Sequence, residues 1–210
     1  MIIENVVILS LIAAVFSVDM TGIGQFMLYR PIFCAPVFGY LTGDIATGLW
    51  IGMIVELIWF NAVPLGASMP PNISAISVLT IYWVNKYFPG LSAAGIFALM
   101  IAVPFGYLCR EVDVLVRKIN TSIMRWIEQG IKESKFERLN KGMALGAFLF
   151  FFKFFAFYLI AFPLGGLVFY LFYLHLPGFV LNGFVKAWYL LPILGLGSAV
   201  YSLISIKIFR

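Results

Sequence analysis

GDIATGLWIGMIVELIWFNAVP, from Gly43 to Pro64, is almost wholly apolar, yet Asp44, Gly48, Gly52 and Glu56 recur through it at every fourth residue. In a helix that spacing puts all four on one slowly winding stripe. Glycines so spaced let a neighbouring backbone come close, so the stripe faces protein. An acid in the middle of such a run costs roughly 2.5–3.5 kcal/mol on insertion scales if it is unpaired. Glu56 therefore serves either a structural hydrogen bond or ion pair between helices, or a ligand. Just beyond, Pro64, Gly66, Pro70 and Pro71 interrupt the helix, and non-helical backbone at membrane depth is tolerated only against protein or a watery cavity. Discontinuous helices supply free amides and carbonyls at transporter substrate sites. Asn72 opens the next helix, either as an N-cap for its first amides or as a carboxamide turned toward a ligand hydroxyl.

The rest of the chain fits a membrane setting. Of 210 residues, 63% are hydrophobic and 11% charged, against roughly half and a quarter in a soluble domain. The 22 Phe exceed what one compact interior hides, and mean hydropathy is +1.03. These figures predict an all-α polytopic membrane protein, one folded membrane unit over 1–210, with about six to eight membrane segments, some broken or re-entrant. The segments expected are 5–18, a short helix from Pro31 to Leu41, 45–62, 73–88, 91–109, 142–162, 164–185 (interrupted at Gly165-Gly166, Pro177-Gly178 and Gly183) and 187–206. With no Lys or Arg before Arg30, the first segment lacks the basic start of a secretory signal and reads as a retained span. Residues 1–109 form a motif-bearing half and 142–210 a C-terminal half.

Between the halves lies 110–141, which holds eight of the fourteen basic residues and five acids. Concentration of Lys and Arg in one loop places it in the cytoplasm and argues against nucleic acid as a partner. Val112, Leu115, Ile119, Ile123 and Trp126, three and four apart, predict an amphipathic helix along the membrane surface. Cys34 and Cys109 stand alone in apolar surroundings and read as small buried residues. The single histidine, His175, precedes Pro177-Gly178 as an interfacial turn residue. No HExxH, GxSxG or P-loop pattern occurs, and Gly22-x-Gly24 and Gly195-x-Gly197 lack a third glycine. No catalytic residue, metal ligand or cofactor is expected.

From Gln25 to Thr80 the order Arg30-Pro31, Gly39, Gly43-Asp44, Gly48, Gly52, Glu56, Gly66-Ala67, Pro70-Pro71 resembles the membrane subunit IIC of the mannose-type sugar phosphotransferase system. The resemblance implies an elevator-like sugar carrier in the bacterial inner membrane. It also implies a membrane partner IID, cytoplasmic IIA and IIB subunits, phosphorylation of the arriving sugar by IIB, and an oligomer. The candidate sugar-binding residues are Glu56 and Asn72, with Gln25, Asn61 and Ser68. Asp44, Arg30 and Lys153 are the gating or structural polar residues. Two positions depart from the family. No acid stands just before Arg30-Pro31, where the chain has Gln25, and Asn72 replaces the acid that usually follows the proline pair. The loss of two carboxylates implies either an altered sugar preference or a divergent carrier.

Other classes compete with this one. A small-molecule binding subunit of a different transporter would use 110–141 to dock an energising module. An intramembrane enzyme would need convergent acids, whereas Glu4, Asp19, Asp44 and Glu56 are scattered. Lys153, alone between Lys141 and Lys186, either approaches an interface or turns inward to pair with Asp19, Asp44 or Glu56.

Overall fold

A computed structural model describes residues 5–20, 25–62, 69–133, 135 and 137–208. Seven helices follow in order: α1 (Val6–Asp19), α2 (Pro31–Thr42), α3 (Ile45–Ile58), α4 (Ile73–Tyr87), α5 (Ser92–Lys132), α6 (Glu137–Leu174) and α7 (Gly178–Ile208). Local chemistry sets the early boundaries. Asn5 caps α1 by accepting from the Val7 amide at 2.9 Å. Pro31 starts α2, where its missing N–H costs nothing, and Gly43 ends it in the left-handed region at φ 98°.

Helices α2 and α3 double back on each other through Gly43-Asp44. At 12 and 14 residues they are about 18 and 21 Å long, short of a ~30 Å hydrocarbon core. The pair is therefore a broken, re-entrant element. Helix α4 occupies the centre, with every residue from Ile73 to Asn85 buried and contacts to α1, α2, α3, α5 and α6. A helix enclosed on all sides must satisfy its own hydroxyls. Ser77 donates to the Ile73 carbonyl at 2.9 Å and Thr80 to the Ile76 carbonyl at 2.7 Å. Its far end is tied outward: the Trp83 indole donates to the Phe162 carbonyl at 3.0 Å, and Asn85 Nδ2 to Thr42 Oγ1 at 2.7 Å.

Among the described residues three helices, α5, α6 and α7, are long and apolar enough to cross a membrane. Here the structure corrects several sequence expectations. Residues 110–132 are the continuation of α5, not a separate surface helix, and α6 returns antiparallel beside it. At 41 and 38 residues the two are about 62 and 57 Å long, so their linked ends project beyond the bilayer core. The projection is held by close packing: a Cβ on Gly142 would meet Ile127 at 2.4 Å, and one on Gly130 would meet Arg138 at 2.6 Å. At its tip the Lys135 ammonium, 2.8 Å from Glu133, holds that carboxyl below its usual range, with Arg138 adding to the effect.

Gly165-Gly166 does not interrupt α6 either. Both glycines fit against rings of α4, since a Cβ on Gly165 would lie 2.2 Å from Trp83 and one on Gly166 3.0 Å from Tyr87. Gly183 likewise lies inside α7, whereas Pro177-Gly178 does separate α6 from α7. The span expected over 45–62 ends at Ile58, with Trp59 to Asn61 in a turn. Of the break expected over 64–72, residues 69–72 are non-helical and 64–68 lie outside the described residues.

Candidate functional site

Every member of the α3 stripe meets α2 or its flanks. Asp44 caps α3, accepting from the Thr47 amide at 3.1 Å and its hydroxyl at 2.5 Å. A Cβ on Gly48 would come within 2.6 Å of the Ala35 carbonyl oxygen, and one on Gly52 within 2.7 Å of the Pro31 carbonyl oxygen. Glu56 closes the open end of the hairpin. Its Oε1 lies 2.5 Å from Arg30 Nη2, each side chain being 14% exposed. Its Oε2 accepts from the Ile32 amide at 3.4 Å, where the helix dipole favours an anion. Arg30 also donates to the Phe60 carbonyl at 3.3 Å.

A second polar cluster forms where α1, α4, α5 and α6 meet. Asn72 caps α4, its Oδ1 accepting from the Ala75 amide at 2.9 Å and from Ser74 Oγ at 2.7 Å. Ser74 Oγ lies 3.1 Å from Ser17 Oγ, which lies 2.6 Å from the Tyr158 hydroxyl. The Asn72 amide donates to the Gly106 carbonyl at 3.1 Å, fastening the end of the break to α5. Beside this chain Asp113 of α5 and Lys153 of α6 form a buried ion pair. Arg117 Nε holds the other Asp113 oxygen at 3.0 Å, and the Lys153 ammonium lies 3.5 and 4.5 Å from the ring centroids of Phe150 and Phe154. Asn72, Cys109, Arg110 and Asp113, with Met69 and Pro70, border a cavity of about 20 Å³. That is room for a water and no more.

Asp19 supports this region from the end of α1. Its carboxylate accepts from the amides of Phe26 at 2.7 Å, Leu28 at 2.6 Å and Tyr29 at 3.3 Å, which folds the turn leading into Arg30. Among the described residues no three of His, Cys, Asp and Glu group to hold a metal.

The family described as "PTS system sorbose-specific IIC component" matches residues 3–209. The chain belongs to that family. It is thus a IIC membrane component of a sugar phosphotransferase system, of the bacterial inner membrane. This IIC chain is 35% identical over 65 residues to the putative N-acetylgalactosamine permease IIC component 2 of Escherichia coli (strain K12), covering 31% of this chain and 48% of that protein. It is 30% identical over 136 residues to N-acetylgalactosamine permease IIC component 1 of the same organism, covering 63% and 49%. The sorbose-specific EIIC component of Klebsiella pneumoniae is 25% identical over 116 residues, covering 55% and 42%. The chain spans about half the length of the curated relatives it matches. Two solved structures share its fold. A mannose transporter ManYZ complex with microcin E492 aligns with a TM-score of 0.64 at 20% identity, covering 98% of this chain and 77% of that one. One titled "Structure of membrane protein" aligns at 0.75 and 19% identity, covering 100% and 81%.

In this IIC chain Glu56 and Arg30 come together, and Asn72 joins the second cluster. Gln25, at φ 53°, and Asn61 are both exposed, the latter next to Phe60. Ser68 lies outside the described residues. Lys153 is buried and does not reach Asp19, Asp44 or Glu56; its partner is Asp113, which sequence reasoning counted as a surface charge. The signal was present in spacing. Ala102, Gly106, Cys109 and Asp113 continue one buried face of α5, at intervals of four, three and four. Ser17 and Tyr158 were hidden in apolar runs and carry no comparable mark.

Proposed function

We propose that this IIC chain is the sugar-translocating subunit of a phosphoenolpyruvate-dependent phosphotransferase system. It works with a IID membrane subunit and cytoplasmic IIA and IIB subunits, and it performs no covalent chemistry itself. The observation that carries the reading is the family match over nearly the whole chain, joined to a re-entrant hairpin that ends in the Arg30–Glu56 pair. Glu56 and Asn72 supply contacts to sugar hydroxyls, together with Gln25, Asn61 and Ser68, while Asp44, Arg30 and Lys153 hold or gate the site. The α2–α3 hairpin moves as a rigid piece in an elevator-like step, because its two backbones touch along the glycine stripe. Phosphoryl transfer from IIB at the cytoplasmic face makes uptake one-way, since a charged product does not recross.

Uptake measurements on Glu56→Gln in cells carrying the whole system test the role of the pair. A hydrogen bond to a charged group contributes roughly 1.5–3 kcal/mol, so KM for the sugar is expected to rise about tenfold or more while the amount of folded protein stays at the parental level. Uptake at the parental KM would remove Glu56 from the site.

A further inference from the structure

The cavity beside Asn72 is too small for a sugar, and the groove of about 640 Å³ between α5 and α6 is lined almost entirely by apolar side chains. Room of a different character lies at the other end of the molecule. Thr47 and Trp50 of α3, Gly90 in the α4–α5 turn, Ser92 of α5, and Trp188 and Tyr189 of α7 enclose a cleft of about 350 Å³. That volume falls in the ~300–1,000 Å³ range of small-molecule sites.

Its walls are both aromatic and polar. The rings of Trp50 and Trp188 stand 6.1 Å apart at 36°. Trp188 is seated where α5 has a glycine, for a Cβ on Gly95 would lie 2.3 Å from its Cζ3. The buried Trp50 Nε1 has no acceptor among the described residues, although such a donor normally finds one. The Thr47 hydroxyl donates to Asp44 and so presents its lone pairs. Ser92 opens α5, whose N-cap Leu91 gives no side-chain hydrogen bond. Among the described residues no side chain that lines the cleft carries a charge. Ser92 and the basic α5–α6 tip are at opposite ends of a helix about 62 Å long, so with that tip in the cytoplasm the cleft opens to the outside.

We propose that this cleft is an outward-facing vestibule that receives a neutral monosaccharide. The apolar face of the sugar ring lies against Trp188 and Tyr189, and its hydroxyls bond to Thr47, Ser92 and, after a small rotation of the indole, Trp50. The inference rests on the proposed transport function and adds where the sugar first docks.

The test is equilibrium binding of labelled D-mannose, L-sorbose and N-acetyl-D-galactosamine to the full chain in nanodiscs, with cellular uptake by the complete system measured separately. Trp188→Ala is expected to weaken the bound sugar at least tenfold and Tyr189→Ala at least threefold. Tyr189 is 68% exposed, so its loss leaves the fold intact even if Trp188→Ala does not accumulate. Wild-type binding that both variants retain unchanged overturns the vestibule, and normal uptake alongside that result leaves the transport function standing. Failure of wild type to bind any of the three overturns the vestibule as well, as does a tightly held phospholipid in the cleft that the sugars do not displace. Binding weakened by both variants in a chain whose complete system takes up none of the sugars supports the cleft and refutes the transport function.

Discussion

Asp113 and Lys153 are partners but not equals. Asp113 holds two cations, Lys153 and Arg117, whereas among the described residues Lys153 has one anion and two aromatic faces. Removing one member of a buried pair commonly costs about 3–5 kcal/mol, because the other is left without compensation. Lys153→Met leaves Asp113 with Arg117, while Asp113→Asn leaves an ammonium among phenylalanines. Asp113→Asn is therefore expected to lower the unfolding temperature more than Lys153→Met, and the double variant is expected to recover most of the loss. Thermal unfolding followed by size exclusion reads all three, and equal losses for the two single variants would show that Arg117 does not share the carboxylate. At this scale the sequence was half legible. An intramembrane lysine announces that it needs a partner, but the partner sat in a stretch whose mixed charges resemble an exposed surface.

The glycines of α3 and α7 look alike in composition and differ in what surrounds them. A Cβ on Gly48 would press on backbone atoms of Ala35 and Gly39, neither of which is a flexible side-chain end, whereas one on Gly183 would meet nothing within 4 Å. Gly48→Ala is expected to destabilise by about 1–3 kcal/mol, the usual cost of overpacking. Gly183→Ala is expected to be neutral or to stabilise by up to about 1 kcal/mol, since alanine loses less backbone entropy in a helix. Unfolding temperatures that move together would show that α2 and α3 are not in backbone contact. The four-residue stripe was legible before the structure because close helix packing demands small residues at a fixed period. The helix ends were less so. Pro36, Pro104, Pro163 and Pro192 all lie inside helices, which neighbouring helices and hydroxyl side chains allow in a membrane but water does not. The merging of 91–109 with 110–132 was missed because the charge pattern changes there while the helix continues.

For the molecule as a whole, the α5–α6 projection and the Trp188 cleft are expected on opposite sides of the membrane. Cys34 and Cys109 are buried, so introduced cysteines report with little background. An impermeant maleimide added to intact cells is expected to label Tyr189→Cys, and to label Ser122→Cys only after permeabilisation; the reverse pattern would invert the orientation. The all-helical membrane setting was legible in composition and periodicity, because lipid leaves so few ways to satisfy a backbone, whereas the segment count was not, since expected neighbours merged into α5 and α6. The central place of α4 was not, since Ile73 to Asn85 carries no mark distinguishing a protein-enclosed helix from a lipid-facing one. That enclosure has a consequence for how the protein is made. Tyr158 meets Ser17 across 141 positions of sequence, and Phe162 meets Trp83 across 79. Both α1 and α4 therefore leave the ribosome well before the helix they bind has been synthesised. The nascent first half, with the Trp83 indole unmatched and the Ser17 hydroxyl lacking its Tyr158 contact, must be sheltered by the insertion machinery until α6 arrives, and damage late in the gene would surface as loss of segments translated long before it.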